Sequence, residues 1–189
     1  ELISAKKTDF SDVCGLEGIT GIITKAKIKT VPIIEKSFSI FQTDKHQEAL
    51  AMAKKLRPES IMLRFYSPSM SRILGLPEKY HIIAGFNSDR GKIKKDENIK
   101  IFNIIKKEIY CLRNDGYYNS EDGKFLFEKL DEYIFFLDSI KVPYFGDLHL
   151  GIIQAFFKEE SIKKNIIKTI QKMSGKPAKY GIGMKRKEL

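Results

Sequence analysis

The sequence contains few cysteines. Its 189 residues include two, Cys14 and Cys111, which are too few for the disulfide framework of a small secreted domain. A chain of this length buries enough surface to fold without such cross-links. We therefore expect a reduced, cytoplasmic setting. A secreted effector stays open as well, because the chain does not begin with Met and a leader could precede it.

No apolar run approaches the roughly 18 residues that a membrane-spanning helix needs. The run that comes nearest, residues 133–137, is bounded by Glu132 and Asp138. The N-terminus also lacks the basic, apolar and small-residue regions of a signal peptide. The sequence therefore predicts no transmembrane segment, whereas contact with a peripheral acidic surface stays open.

Arginine is scarce, with six residues against 28 lysines. Arginine is the usual choice for bidentate phosphate recognition, and a lysine-rich composition also arises from codon bias. The position of the charge is therefore more informative than the total of +10. Residues 158–189 hold ten Lys or Arg against three Glu, so seven of the ten net charges lie there. A one-sided positive field of this kind favours a polyanionic partner.

Alternating and helical patterns succeed one another in the N-terminal half. Period-two alternation predicts four strands, at residues 25–29, 37–43, 61–66 and 79–86. Helical spacing over residues 49–56 predicts a helix between the second and third strands, and Ser67 followed by Pro68 predicts a short helix after the third. This succession indicates a sheet with crossover helices.

The C-terminal half is predicted to be helical. Helix-spaced apolar residues occur at 101–112, 126–137, 148–157 and 162–173, with a turn-rich break at 114–123. We therefore predict the α+β class, with an α/β-like N-terminal layer of about four strands with crossover helices and a helical C-terminal half. The predicted organisation is a flexible segment at 1–20, one domain at 21–173 and a basic tail at 174–189.

The basic C-terminal end carries the principal candidate site. Residues 161–173 predict one amphipathic helix that is N-capped by Ser161 and ends at Gly175. The residues predicted to contact phosphate are Lys163, Lys164, Lys168 and Lys172 on this helix and Lys185, Arg186 and Lys187 in the tail. Because another helix is predicted immediately upstream, a DNA-binding helix-turn-helix is one interpretation, and an ordinary solvated surface helix is the other.

A second candidate patch lies near the N-terminus. Lys25, Lys27 and Lys29 alternate with smaller residues, which places all three on one face of the first predicted strand. Aromatic residues are also interleaved with charge, at Tyr117, Tyr118 and Tyr180. This pattern suits base stacking on single strands and ordinary packing equally.

No motif identifies a catalytic site. Residues 145–151 resemble the first metal-binding motif of calcineurin-like metallophosphoesterases, with Asp147 and His149 in the ligand positions. No Asp or His follows His149, so the two-metal site of that family cannot be completed. Asp122 and Lys124 have the acid-x-Lys spacing of restriction-type nucleases, but the pattern predicts a turn where that family has a strand. No metal site is predicted, and any cofactor stays unknown.

These observations favour a basic nucleic-acid-binding protein that contacts the phosphate backbone of DNA or RNA, with a nuclease activity left open because no residues locate it. Two alternatives also stay open. An interaction protein or secreted effector would set the lysine helix against an acidic surface. An enzyme would bind a small phosphorylated substrate through Arg64, His81 and Arg90 near the strand ends. The sequence does not indicate the oligomeric state.

Overall fold

The chain divides into two compact units, Ile34–Ala178 and a second made of Glu1–Ile33 with Lys179–Leu189. The computed structural model describes residues 24–26, 37–87 and 95–177, and for residues 95–99, 176 and 177 it describes the backbone alone. All elements given below belong to Ile34–Ala178. The predicted boundaries of a flexible segment at 1–20 and a basic tail at 174–189 lie mostly outside the described residues and stay predictions.

One antiparallel sheet of seven strands forms the centre of Ile34–Ala178. The strands are β1 Ser37–Thr43, β2 Met62–Tyr66, β3 Tyr80–Phe86, β4 Asn119–Lys124, β5 Tyr144–Asp147, β6 Ile152–Phe157 and β7 Lys176–Pro177. Their order across the sheet is β1-β3-β2-β5-β6-β4-β7, and each neighbouring pair is antiparallel. The described residues also form five α-helices: α1 His46–Leu56, α2 Pro68–Ile73, α3 Lys95–Asn114, α4 Leu130–Ser139 and α5 Ser161–Lys172. The predicted α+β class is confirmed.

The N-terminal half follows the predicted succession of elements from β1 onward. Both β1 and β2 pair antiparallel with β3, which lies between them, so β1 and β2 run in the same direction. Helix α1 joins these two strands and is therefore a crossover helix, as predicted. The strand predicted at residues 25–29 differs, because residues 24–26 have no regular secondary structure and the remainder lies outside the described residues.

The C-terminal half is not simply helical. Residues 152–157 form β6 instead of the predicted helix, and residues 119–124 form β4 where a turn was predicted. In β6 five of the six residues are apolar, and its buried side chains lie on both faces of the sheet, so the period-two alternation is lost. In β4, pairing with β6 on one side and β7 on the other outweighs the low strand propensity of Asn, Asp and Gly.

The sheet has helices on both faces, and each face has its own core. Helices α1, α4 and α5 pack on one face, with buried residues such as Ala53, Ile134 and Ile166. Helices α2 and α3 pack on the other, with Met70 and Leu112. Because successive strand residues point to opposite faces, β3 contributes to both cores and is buried along its whole length. Side chains on the outer sides of α3 and α5 therefore point away from opposite faces of one rigid sheet.

Candidate nucleic-acid interface

Helix α5 presents a row of lysines to solvent. Ile166 and Ile170 are fully buried against the sheet and fix which side of the helix points outward. Lys164, Lys168 and Lys172 recur every four residues and are exposed on the outward side. Each step of four residues advances about 6 Å along the helix axis. We call these three residues the lysine stripe.

The ends of α5 differ in detail from the prediction. Ser161 is the first residue inside the helix and is therefore not the N-cap. Its hydroxyl donates a hydrogen bond to the Glu159 carboxylate at 3.3 Å. At the other end, where Gly175 was predicted to end the helix, Ser174 takes the left-handed conformation, with φ 55. The backbone N–H of Gly175 donates to the Ile170 carbonyl at 2.8 Å, and that of Ser174 donates to Gln171 at 3.1 Å. These two bonds form a Schellman motif, which stops the helix one turn past Ile170.

Lys163 does not share the setting of the lysine stripe. Its ammonium group lies 3.2 Å from the Glu160 carboxylate, and its side chain is only 22% exposed. Among the described residues, no such ion pair involves Lys164, Lys168 or Lys172. The predicted set on α5 therefore separates into one paired lysine and three solvated ones.

The helix-turn-helix interpretation is wrong. The element before α5 is strand β6, which pairs with β4 and β5 inside the sheet. A recognition helix needs a preceding helix that crosses the DNA backbone, and no helix occupies that position here. If α5 contacts nucleic acid, it does so as a surface helix.

The other predicted contact residues lie mostly outside the described part of the chain. Lys25 is described and is exposed. The remainder fall outside it: Lys27, Lys29, Tyr180, Lys185, Arg186 and Lys187. Lys25 belongs to the second compact unit, so it and the lysine stripe are separate candidates.

Lys158 was missed by the sequence analysis. Its ammonium group lies 4.7 Å from the centre of the Tyr117 ring, a cation–π contact. The side-chain amide of Asn119 donates to the Lys158 carbonyl at 3.2 Å. The contact arises because β4 pairs with β6, and no local spacing relates residues 41 positions apart.

Neither of the two motifs that resembled catalytic sites assembles a metal site among the described residues. Asp147 accepts hydrogen bonds from the backbone N–H groups of His149 and Leu150, at 2.9 and 3.2 Å, and so closes the turn between β5 and β6. The His149 ring instead bonds to Ser60 at 3.0 Å. Asp122 lies on a strand, but its side chain is buried. Within the described residues, no three His, Cys, Asp or Glu side chains converge as a metal site would require.

Arg64 and His81 do not form a substrate cleft. The Arg64 guanidinium pairs with the buried Glu108 carboxylate, and His81 is 2% exposed. The ring nitrogen Nδ1 of His81 lies 2.9 Å from the Ser71 hydroxyl and 3.0 Å from the Lys79 carbonyl. Burial lowers the pKa of His81 below its usual value. Arg90, the third residue of the predicted substrate site, lies outside the described residues. Arg64 and His81 bond to other parts of the fold and are not arranged around a ligand.

The most connected polar cluster among the described residues involves Asp138, which the sequence analysis also missed. Its carboxylate accepts hydrogen bonds from the hydroxyl groups of Tyr80 and Tyr144, at 2.7 and 2.8 Å. His46 lies between this carboxylate, at 3.5 Å, and that of Asp131, at 3.1 Å. Burial, reinforced by Asp138, raises the pKa of both tyrosines. The cluster ties α1, α4, β3 and β5 together, which is a role in holding the fold.

No protein-family model matches this chain, and no curated protein is similar enough to count as a relative. Within the described residues, none of the helices combines the length and the apolar character needed to cross a membrane.

Proposed function

We propose that the protein binds nucleic acid, DNA or RNA, through phosphate contacts of the lysine stripe on α5. The observation that supports this proposal is that the three lysines are exposed, lie one helical turn apart and have no carboxylate partner among the described residues. An ammonium group without a partner stays hydrated and attracts the phosphates of a polyanion. Binding then releases the counterions that the nucleic acid had condensed, which supplies affinity without base recognition.

The anchoring of α5 adds to this proposal. Ile166 and Ile170 are fully buried, so the helix is fixed to the sheet before any partner arrives. A fixed helix loses little conformational entropy on binding. The same burial disfavours the lipid alternative, because an interfacial helix inserts its apolar side into the membrane and that side of α5 is already used in the core. The alternative of an acidic-surface binder therefore requires that α5 contacts the surface through its lysines alone, without inserting apolar side chains.

The test is a triple substitution, Lys164→Gln, Lys168→Gln and Lys172→Gln. For duplex DNA we expect the slope of log K against log salt to flatten by about 0.9 for each lost contact, about 2.7 for all three. Fluorescence anisotropy titrations over a range of salt concentrations measure this slope. Folding should be little affected, because these lysines make no ion pair among the described residues and like charges four residues apart on a helix repel by only about 0.2–0.5 kcal/mol per pair.

The matched control changes three exposed lysines elsewhere, Lys54→Gln, Lys55→Gln and Lys141→Gln. Both triple variants carry the same net charge. Equal losses in the two variants would mean that the protein is a diffuse cation with no special role for α5. Binding of the wild type to anionic vesicles, with no binding to nucleic acid at low salt, would replace the proposal by the acidic-surface alternative.

A further inference from the structure

Helix α3, on the opposite face of the sheet from α5, has an outer side that is both basic and aromatic. Ile101 and Leu112 are buried and fix its inner side. The outward residues include four that are basic or aromatic: Phe102, Lys106, Tyr110 and Arg113. Phe102 is 45% exposed and Tyr110 is 66% exposed. Large side chains exposed next to one another on a helix commonly mark a binding surface.

Further aromatic and basic residues follow directly after the C-terminal end of α3. The chain turns at Gly116, where φ is 86, and reaches Tyr117, which packs with the core on the α3 side of the sheet. Lys158 covers the Tyr117 ring, as described above. Tyr118, the next residue, is 77% exposed. We call Phe102, Lys106, Tyr110, Arg113, Tyr118 and Lys158 the basic–aromatic surface.

The exposed charge along the described outer side of α3 is mostly positive. Between residues 100 and 114, Glu108 is the only acidic residue, and it is buried and paired with Arg64. Asp115 is the one exposed carboxylate at the turn that follows. The surface therefore complements an anion, and a neutral apolar partner would leave its cations without counter-charges. The stripe on α5 is also cationic, but it has no exposed aromatic ring among its lysines.

We propose that the basic–aromatic surface binds single-stranded nucleic acid, with Tyr110 and Tyr118 stacking on unpaired bases and Lys106, Arg113 and Lys158 contacting phosphates. Aromatic rings stack on bases of any sequence, but in a duplex the faces of the bases are covered by their neighbours. Exposed tyrosines among cations therefore select an unpaired strand. This inference rests on the proposed function in that the partner is nucleic acid, and it adds the class of nucleic acid and a second contact surface.

The experiment compares Tyr110→Ala/Tyr118→Ala with the wild type, using a labelled 20-nucleotide oligo(dT) strand and its duplex with oligo(dA) in anisotropy titrations. We expect single-strand affinity to fall by about five-fold or more for each tyrosine that stacks, and duplex affinity to stay unchanged. The conservative variant Tyr110→Phe/Tyr118→Phe keeps both rings and should restore the affinity. The matched control is Leu126→Ala/Phe135→Ala, which removes two exposed apolar side chains, 76% and 67% exposed, outside this surface.

Each outcome decides between the two proposals. If the double alanine variant binds single strands as tightly as the wild type, the inference about α3 is overturned. The proposal for the lysine stripe is then still tested separately, by the triple glutamine variant of α5. If the alanine pair loses single-strand affinity and the lysine triple loses nothing, the inference stands and the proposal for α5 fails. No binding of the wild type to either oligonucleotide overturns both. A change from dimer to monomer on alanine substitution, with nucleic-acid binding intact, would make this surface a protein interface and overturn the inference.

Discussion

The Arg64 guanidinium lies inside a closed set of polar and aromatic contacts. It donates to the Glu108 carboxylate through Nε at 2.8 Å and through a second nitrogen, and it lies 4.2 Å from the centre of the Phe145 ring. The Tyr66 hydroxyl donates to the same carboxylate. Replacing either member of a buried ion pair leaves the charge of the other member buried without a counter-charge. Arg64 therefore joins β2 to α3, which carries the basic–aromatic surface, and is not available to a ligand.

His81 is the residue whose burial has the clearest consequence for pH dependence. Its folded-state pKa is lowered by burial, whereas the unfolded value is about 6.5. At about pH 8 and above, both states are neutral at this site and it adds nothing to the pH dependence. As the pH falls below about 6.5, the unfolded chain takes up a proton that the folded protein resists. Stability is therefore lost as the pH falls from about 6.5 through the folded value.

We predict that the free energy of unfolding of the wild type falls on acidification more steeply than that of His81→Gln. The difference should be at most about 1.4 kcal/mol for each pH unit, the value for one proton, and should vanish above about pH 8. Urea unfolding at several pH values between 5 and 8 measures it. His149→Gln, which changes a histidine that is not buried, is the control. Parallel curves for the wild type and His81→Gln would show that this histidine does not carry the effect.

At the scale of elements, the segment from β1 to β3 and the helices of the C-terminal half could be predicted from the sequence, whereas strands β4, β5 and β6 could not. Residues 37–43 and 80–86 alternate or are bounded by turn residues, and Pro68 marks the start of α2. In β6 the apolar run fits a helix or a strand, because periodicity disappears when both faces are buried. Its length of six residues and the preceding glycine were the available signals.

The candidate site was predictable to the same limited extent. The exposure of Lys164, Lys168 and Lys172 follows from helical periodicity, because Ile166 and Ile170 must face the core. The contact of Lys158 with Tyr117 and the exposed side of α3 depend on how β4 pairs with β6 and how α3 packs on the sheet. Such non-local contacts have no spacing in the sequence that would indicate them.

The turn between β5 and β6 gives a prediction for a single element. Gly151 has φ 66, and a Cβ atom there would collide with the carbonyl oxygen of Phe125, whose backbone N–H donates to the Gly151 carbonyl at 2.9 Å. Gly75 has a similar φ of 76, but a Cβ atom there would meet nothing within 4 Å. We expect Gly75→Ala to lose about 1–2 kcal/mol from the left-handed backbone alone. Gly151→Ala should lose a further 1–3 kcal/mol, approximately, from the collision.

Urea unfolding of the two glycine variants separates the backbone contribution from the steric one. Because both positions have positive φ, the difference between the two losses reports the collision with Phe125. Equal losses would mean that the segment around Phe125 moves aside without cost. In that case the β5–β6 turn does not depend on this contact.

At the scale of the whole molecule, the two candidate binding surfaces lie on helices that pack on opposite faces of the sheet. The exposed charged residues of α5 are all lysines and no aromatic residue lies on that helix, whereas the outward side of α3 combines lysine and arginine with phenylalanine and tyrosine. Phosphate contacts by lysine do not distinguish paired from unpaired strands, but stacking does. If both proposals hold, the two surfaces respond differently to the form of the nucleic acid, and salt should weaken binding at both.

The basic tail provides the last prediction. Changing Lys185, Arg186 and Lys187 together to Gln lowers the net charge from +10 to +7, as does each of the two lysine triples above. If the tail contacts phosphates, the salt slope for duplex DNA should flatten by about 0.9 per contact, and the loss should add to that of the lysine stripe, because counterion release depends on the number of phosphates neutralised. Anisotropy titrations of the tail triple, the α5 triple and their combination measure this additivity. The Lys54/Lys55/Lys141 triple controls for net charge. If the tail triple has the same slope of log K against log salt as the wild type, the tail makes no phosphate contacts, and at this end of the chain only α5 does.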